Sequence, residues 1–307
     1  MISSFFSKAN PIHLVIVCFI MLLVFVTTKF YYLDEPLTIT GFFKQTALFI
    51  ISLTSVFVLD FLSNKNNLTK KNSYKILIFS LFIALLPETY LNSQILIANL
   101  FILLALRRII SLRSNKEIIK KLFDAAFWLS IATLFYFWSI LFFILIVIGI
   151  ILYRVVNIKN WIIPIVGILT VAIIWSSYMI IMGYDLILYF QNLINFSFDI
   201  STLNNKRIVI SCTIILSYGI WSLLYFIRYL KAKSKKSRPS FIIIIFMIII
   251  SLLVVAVAPD KNGSEFLFLF APLSIIITNY LETISEKWFK ETLLLGLIVT
   301  PIIILML

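Results

Sequence analysis

The chain has 307 residues, 62% hydrophobic and 13% charged, with a mean hydropathy of +1.09. A soluble domain is about 45–50% apolar and about 25% charged, so composition excludes a water-soluble globular protein. The formal charge of +13 would point to nucleic acid in a soluble chain. Among apolar runs this long it instead marks cytoplasmic loops lying against anionic lipid headgroups, and no nucleic-acid partner is expected.

Taken in chain order, the apolar stretches predict an all-α, polytopic transmembrane bundle forming one domain over 1–307. The eleven expected spans are 11–28, 43–62, 74–87, 93–107, 124–136, 138–153, 161–182, 207–228, 241–258, 266–282 and 292–307. The first follows a single Lys8 and shows no small-residue cleavage site, so it reads as a span and not as a secretory signal. The stretches 73–107 and 124–153 are each too long for one crossing. At 1.5 Å per residue each would rise about 45 Å or more, well past a hydrocarbon core of about 30 Å.

Charge supports splitting both. The loop "SNKNNLTKKNSYK" (63–75) carries four Lys, and 107–121 and 228–240 carry six Lys or Arg each. Loops this basic belong in the cytoplasm, so an even number of crossings separates them and each long stretch becomes a hairpin. The resulting map puts the N-terminus inside and the C-terminus outside. It places 21 of the 26 Lys and Arg in cytoplasmic segments and seven of the 13 acids outside. The longest outward loop, 183–206, mixes Leu, Ile and Phe with scattered amides and reads as a helix lying in the interface.

Several chemistries are closed to this chain. His13 is the sole histidine, which removes multi-histidine metal sites and leaves a Ser–His–Asp triad without a motif. No GxxxxGK[ST] or GxGxxG phosphate cradle is present. Cys18 and Cys212 fall in apolar runs, with no disulfide framework. Asp60 is the one carboxylate inside a span, but it stands about a turn from the cytoplasmic end, so a structural role outweighs an ion path.

What remains is outward carboxylate: Asp34, Glu35, Glu88, Asp185, Asp199, Asp260 and Glu265. A carboxylate at the lipid–water boundary serves as a general base, or holds a divalent cation that neutralises a phosphate leaving group. Asp34 and Glu35 stand out because neighbouring acids repel one another and Pro36 holds Glu35 extended.

An acidic pair in the first outward loop, a cytoplasmic N-terminus and about eleven spans resemble the GT-C type of membrane glycosyltransferase. The stretches "LPETYLNSQILIANLFILLALRRI" and "KLFDAAFWLSIATLFYFWSILFFILIVIGIILYR" are similar to middle helices of GT-C-like bacterial proteins. The start "MISSFFSKANP" is similar to an uncharacterised family of bacterial multi-pass proteins. The first outward loop, about a dozen residues, is shorter than is usual for GT-C enzymes, so the resemblance implies a reduced scaffold. It implies an inner-membrane protein of the bacterial cell envelope that binds or transfers a polyprenyl-linked sugar at the outer face. Asp34 would then be the base, and Glu35 a second base or metal ligand. Glu88, Tyr90, Asp185, Gln191 and Asp199 would line the outward cavity. No cofactor is implied beyond a divalent cation, and the partners are membrane lipids. Two other readings stand beside this one: a non-catalytic scaffold or subunit packed against other membrane proteins, and a facilitative transporter of an amphipathic solute. Replacing Asp34 by Asn and Glu35 by Gln is expected to change envelope glycans in cells. Normal glycans at normal protein levels would remove the pair from catalysis.

Overall fold

A computed structural model describes residues 1–32, 38–184, 195–199, 201–259 and 261–305. Among them the chain forms twelve α-helices and no strand. The described residues of each expected span are helical except at or near an end, as at Leu86, Tyr136, Tyr153, Met182 and Ala258. Seven helices are long and apolar enough to cross a membrane: those within Pro11–Tyr31, Ile39–Asn66, Ser93–Ser114, Ile158–Ile181, Lys206–Leu230, Arg238–Val257 and Ser264–Thr283. The stretches Tyr74–Leu85 and Phe137–Leu152 are apolar but shorter. The helices Ile118–Phe135 and Lys287–Leu305 each open on a charged turn, with Lys120 and Lys121 in one and Lys287, Lys290 and Glu291 in the other.

Helix starts follow the local chemistry. Thr38, Asn157 and Asn205 are N-caps whose side chains accept backbone N–H bonds from Gly41, Lys159 and Arg207. Asn92 Oδ1 does the same for Gln94 and Ile95 at 3.0 and 3.2 Å. Such residues satisfy the donors that a first helical turn leaves orphaned. Both long stretches are broken where a split was expected. One break lies at Leu86, which leaves the helix at φ −126° and ψ 74° before Pro87, and the other at Tyr136, with φ −141° and ψ 105°.

The chain divides into two compact units. The first comprises Met1–Leu96, Ile200–Lys233 and Lys261–Leu307. It holds α1 (Ile2–Phe6), α2 (Pro11–Tyr32), α3 (Ile39–Asn66), α4 (Tyr74–Leu85), and the start of α5 (Ser93–Ser111). It also holds α9 (Lys206–Leu230), α11 (Leu267–Thr283) and α12 (Lys287–Leu305). At its centre α4 packs against α11, with α2, α3 and α12 also against α4 and α9 against α11. A helix apolar on every face has to be enclosed by protein or by lipid, and here protein encloses it. Tyr74 to Ile83 are all buried, as are Leu267 to Leu281. Gly219 lets α9 approach closely, since a Cβ there would meet Leu273 Cδ2 at 2.9 Å.

The second unit comprises Ile97–Asp199 and Ser234–Asp260. It holds the rest of α5, with α6 (Ile118–Phe135), α7 (Phe143–Leu152), α8 (Ile158–Ile181) and α10 (Arg238–Val257). Phe101 of α5 stacks on Trp128 of α6 at 5.5 Å, and Arg108 pairs with Asp124 at 2.9 Å. The packing of α6 on α8 is the most extensive. It closes at Gly167, where a Cβ would stand 2.9 Å from Ala126 Cβ and 3.0 Å from the Phe123 carbonyl oxygen. Small residues facing each other let backbones come close and gain dispersion where lipid offers no hydrophobic drive. Gly167→Val should destabilise the protein by about 1–3 kcal/mol through overpacking against rigid backbone. Melting in detergent checks this, with Leu169→Val on the exposed side of α8 expected to leave the midpoint unchanged.

Candidate functional site

Among the described residues, polar atoms without a partner occur at both ends of the α4–α11 pair, Thr278 Oγ1 and Asn279 Oδ1 at one and Glu88 Oε2 and Glu265 Oε2 at the other, but only at the second end do they belong to carboxylates. At the Tyr74 end, Lys75 is fully buried with its Nζ 2.9 Å from Asp60 Oδ1. The same ammonium donates to Asn64 Oδ1 at 3.0 Å and to the Asn72 carbonyl at 2.9 Å. Glu282 Oε1 accepts from Asn72 Nδ2 at 2.6 Å and from the Lys70 backbone N–H at 2.8 Å. Asn279 Nδ2 donates to the Leu68 carbonyl at 2.9 Å. Lys75, Asp60 and Glu282 thus each have partners, as buried charges require. This network ties the 63–75 loop to α11, and it gives Asp60 the structural role its sequence position suggested.

At the other end each helix meets a short 3-10 turn. Pro87–Tyr90 follows α4 and Ser264–Phe266 precedes α11, and the two turns pack against each other. The second is built by Asn262, whose Oδ1 accepts from the Ser264 backbone N–H at 3.0 Å and from its hydroxyl at 2.5 Å. Gly263 enters it at φ +91°, a left-handed conformation that L side chains rarely adopt. It lies beside Ile208 and Leu86, so the turn closes directly on the end of α4. The Ser211 hydroxyl of α9 donates to the Leu85 carbonyl at 2.5 Å and caps one of the acceptors left at the helix end.

Each turn delivers one glutamate inward: Glu88 is 8% exposed and Glu265 1%. Cys212 of α9 lies within electrostatic range of both carboxylates. Arg207 acts on Glu88, and Lys261, itself 2% exposed, acts on Glu265. Burial pushes the Glu88 carboxyl up from its ordinary value, and its own backbone N–H and the Arg207 guanidinium offset only part of that. Oε2 of Glu88 and Oε2 of Glu265 have no hydrogen-bond partner among the described residues. A buried acceptor left unmade costs about 1–3 kcal/mol, so each calls for a proton, a water or a ligand.

Of the residues singled out in the sequence, Glu88 and Tyr90 share the Pro87–Tyr90 turn. Tyr90 acts as an anchor. It is fully buried, its ring stands edge-on to Phe25 at 5.0 Å, and its hydroxyl accepts from Ser52 Oγ at 3.3 Å. Asp199 belongs to the second unit and is exposed, its backbone N–H donating to Ser197 Oγ at 3.1 Å. Asp34, Glu35, Asp185 and Gln191 lie outside the described residues, as do Asp260 and residues 185–194 and 200 of the expected interfacial helix in 183–206. The described part of that loop is irregular over 195–199, with a 3-10 turn at Ser201–Leu203. Glu265, read in the sequence only as one more outward acid, is the residue that reasoning missed. It mirrors Glu88, each standing within three residues of the end of a largely apolar helix, a likeness that has meaning only once α4 and α11 are paired. No group of three or more His, Cys, Asp or Glu able to hold a metal is found among the described residues.

Long apolar helices around a buried polar centre define a helical membrane protein. The chain belongs to the family of unknown function DUF6427, whose model matches residues 1–306. No curated protein and no solved structure matches it, and the family match carries no link to GT-C glycosyltransferases.

The Glu88 environment has a pH signature. A carboxyl whose folded value lies above its unfolded one favours folding while protonated. That contribution is complete below the unfolded value and lost as pH rises through the folded one. The melting midpoint should therefore fall as pH rises above the ordinary glutamate value of 4.5. Glu88→Gln should flatten that dependence, and a slope identical to the wild type would reject the assignment.

Proposed function

We propose that this is a multi-pass protein of the bacterial inner membrane with its N-terminus in the cytoplasm. In this reading it makes about eleven crossings, and the Glu88–Glu265 pair binds the polar head of an amphipathic ligand at the outward side. The observation that carries the reading is the pair of partnerless carboxylate oxygens enclosed between the ends of two apolar helices. Such acceptors take hydroxyl or amine donors, and the neighbouring apolar surface suits a lipid tail. A polyprenyl-linked sugar supplies both, which agrees with the GT-C resemblance of the sequence. Glu88, whose carboxyl burial pushes up from its ordinary value, has the character of a general acid–base. Asp34 and Glu35 keep the position that the resemblance assigns to the catalytic acid. Arg207 and Lys261 already provide positive charge beside the pair, which favours an uncharged donor ligand over a resident divalent cation.

The test replaces Glu88 and Glu265 by Gln, singly and together, in cells, and follows protein level and the pool of lipid-linked sugars. The double variant should accumulate to the normal level yet alter that pool or the envelope glycans made from it. Normal pools and glycans at normal protein level would overturn the reading.

A further inference from the structure

A different site lies wholly within the second unit, where three chain segments meet. The Leu112–Ser114 turn after α5 contributes Arg113, and the end of α7 contributes Arg154. The segment leading into α10 contributes Lys235, Lys236 and Arg238. These five cations line one concave pocket of about 720 Å³ that has no carboxylate in its wall. That volume lies within the roughly 300–1,000 Å³ typical of ligand sites.

The convergence is built. The Tyr153 hydroxyl donates to the Ile110 carbonyl of α5 at 3.2 Å and shares a 2.9 Å hydrogen bond with Ser240 Oγ of α10. One side chain therefore rivets the three pocket-bearing segments together. α7 ends in a pair of bonds, Val155 N–H to the Ile150 carbonyl at 3.0 Å and Arg154 N–H to the Ile151 carbonyl at 3.1 Å. This closure usually carries glycine at its left-handed position. Here the position is Arg154, at φ 56°. Glycine would take that conformation without strain but would remove a guanidinium from the pocket. The acids of α6 and its lead-in are engaged elsewhere, Asp124 with Arg108 at 2.9 Å and Glu117 with Lys120 at 3.1 Å. α10 begins at the pocket with no acidic residue in its first turn and no side-chain cap, so the positive end of its dipole adds to the field.

We propose that this pocket binds a phosphate or pyrophosphate group. Guanidinium and ammonium groups converging from several segments match the charge and the acceptor oxygens of such a group. Basic loops scattered along one membrane face would satisfy topology alone. They would not require five cations to share one cavity fixed by a tyrosine rivet. The group could arrive on a lipid headgroup or on a soluble phosphate, and the two sources are separable by experiment.

Full-length protein in phosphatidylcholine nanodiscs is titrated with inorganic pyrophosphate. In parallel, phosphatidic acid is added to detergent-solubilised protein and the bound lipid is counted by native mass spectrometry. The triple variant Arg154→Gln/Lys235→Gln/Lys236→Gln is compared with Lys116→Gln/Lys120→Gln/Lys159→Gln. The second triple removes the same charge from exposed positions outside the pocket. Loss of charge-assisted bonds should weaken binding by about tenfold or more in the first triple and by less than about twofold in the second. Saturable binding of phosphatidic acid alone assigns a lipid headgroup, and binding of pyrophosphate assigns a soluble phosphate. The proposal is overturned if the wild type binds neither probe saturably, if the two triples weaken binding equally, or if the pocket triple binds as the wild type does. Because all three pocket substitutions are at exposed side chains, folding survives them.

Discussion

Hydrocarbon offers no hydrogen bonds, so a polar group enclosed by apolar helices has to find its partner within the protein. The first unit is organised by that demand. Its central helices, α4 and α11, present almost nothing but carbon to their neighbours, and polar side chains gather where the two helices end. At the Tyr74 end the charged groups meet it within the chain: Lys75 sits among Asp60, Asn64 and the Asn72 carbonyl. At the Glu88 end it is left open. The same helix pair thus offers an internal comparison, with hydrogen-bonded charge at one end and, at the other, carboxylate oxygens without a partner among the described residues.

Much of this architecture was legible in the sequence. Apolar length located the helices, and basic loops dictated that 73–107 and 124–153 each be broken in two. The physical cause of one break, Leu86 before Pro87, is visible in the sequence itself. Glu88 could be singled out because it stands directly after that break. Glu265 could not, because its meaning depends on α4 and α11 lying antiparallel, and no local pattern encodes that pairing. Tyr90 shows the opposite limit. An aromatic beside an acid in an outward turn suggests a ligand contact, yet burial against Phe25 makes it the peg that holds the turn. Lys75 was legible only as topology, a positive charge in a basic loop, until the fold placed Asp60 across from it.

The second unit resolves its polar problem differently. Its helices pack through Gly167 and Ala126 and through stacked aromatics, leaving charge to collect where α5 and α7 end and α10 begins. Topology explains why those residues are basic, whereas the Tyr153 hydroxyl explains why they converge. The distinction matters for membrane proteins in general, because the bias that orients a chain also supplies raw material for anion sites.

The brevity of α4 has a consequence for how the protein responds to its surroundings. Twelve residues rise about 18 Å, against a hydrocarbon thickness of about 30 Å. A helix held at its Lys75 end and enclosed on all sides cannot tilt or stretch to follow a thicker bilayer, as a lipid-facing span does. The distance from that anchor to the Glu88 turn is therefore constant, while the depth of the turn below the far surface changes with the lipids around it. A change in bilayer thickness therefore falls on the lipid-facing helices around it, and the packing about the Glu88 turn stays as it is.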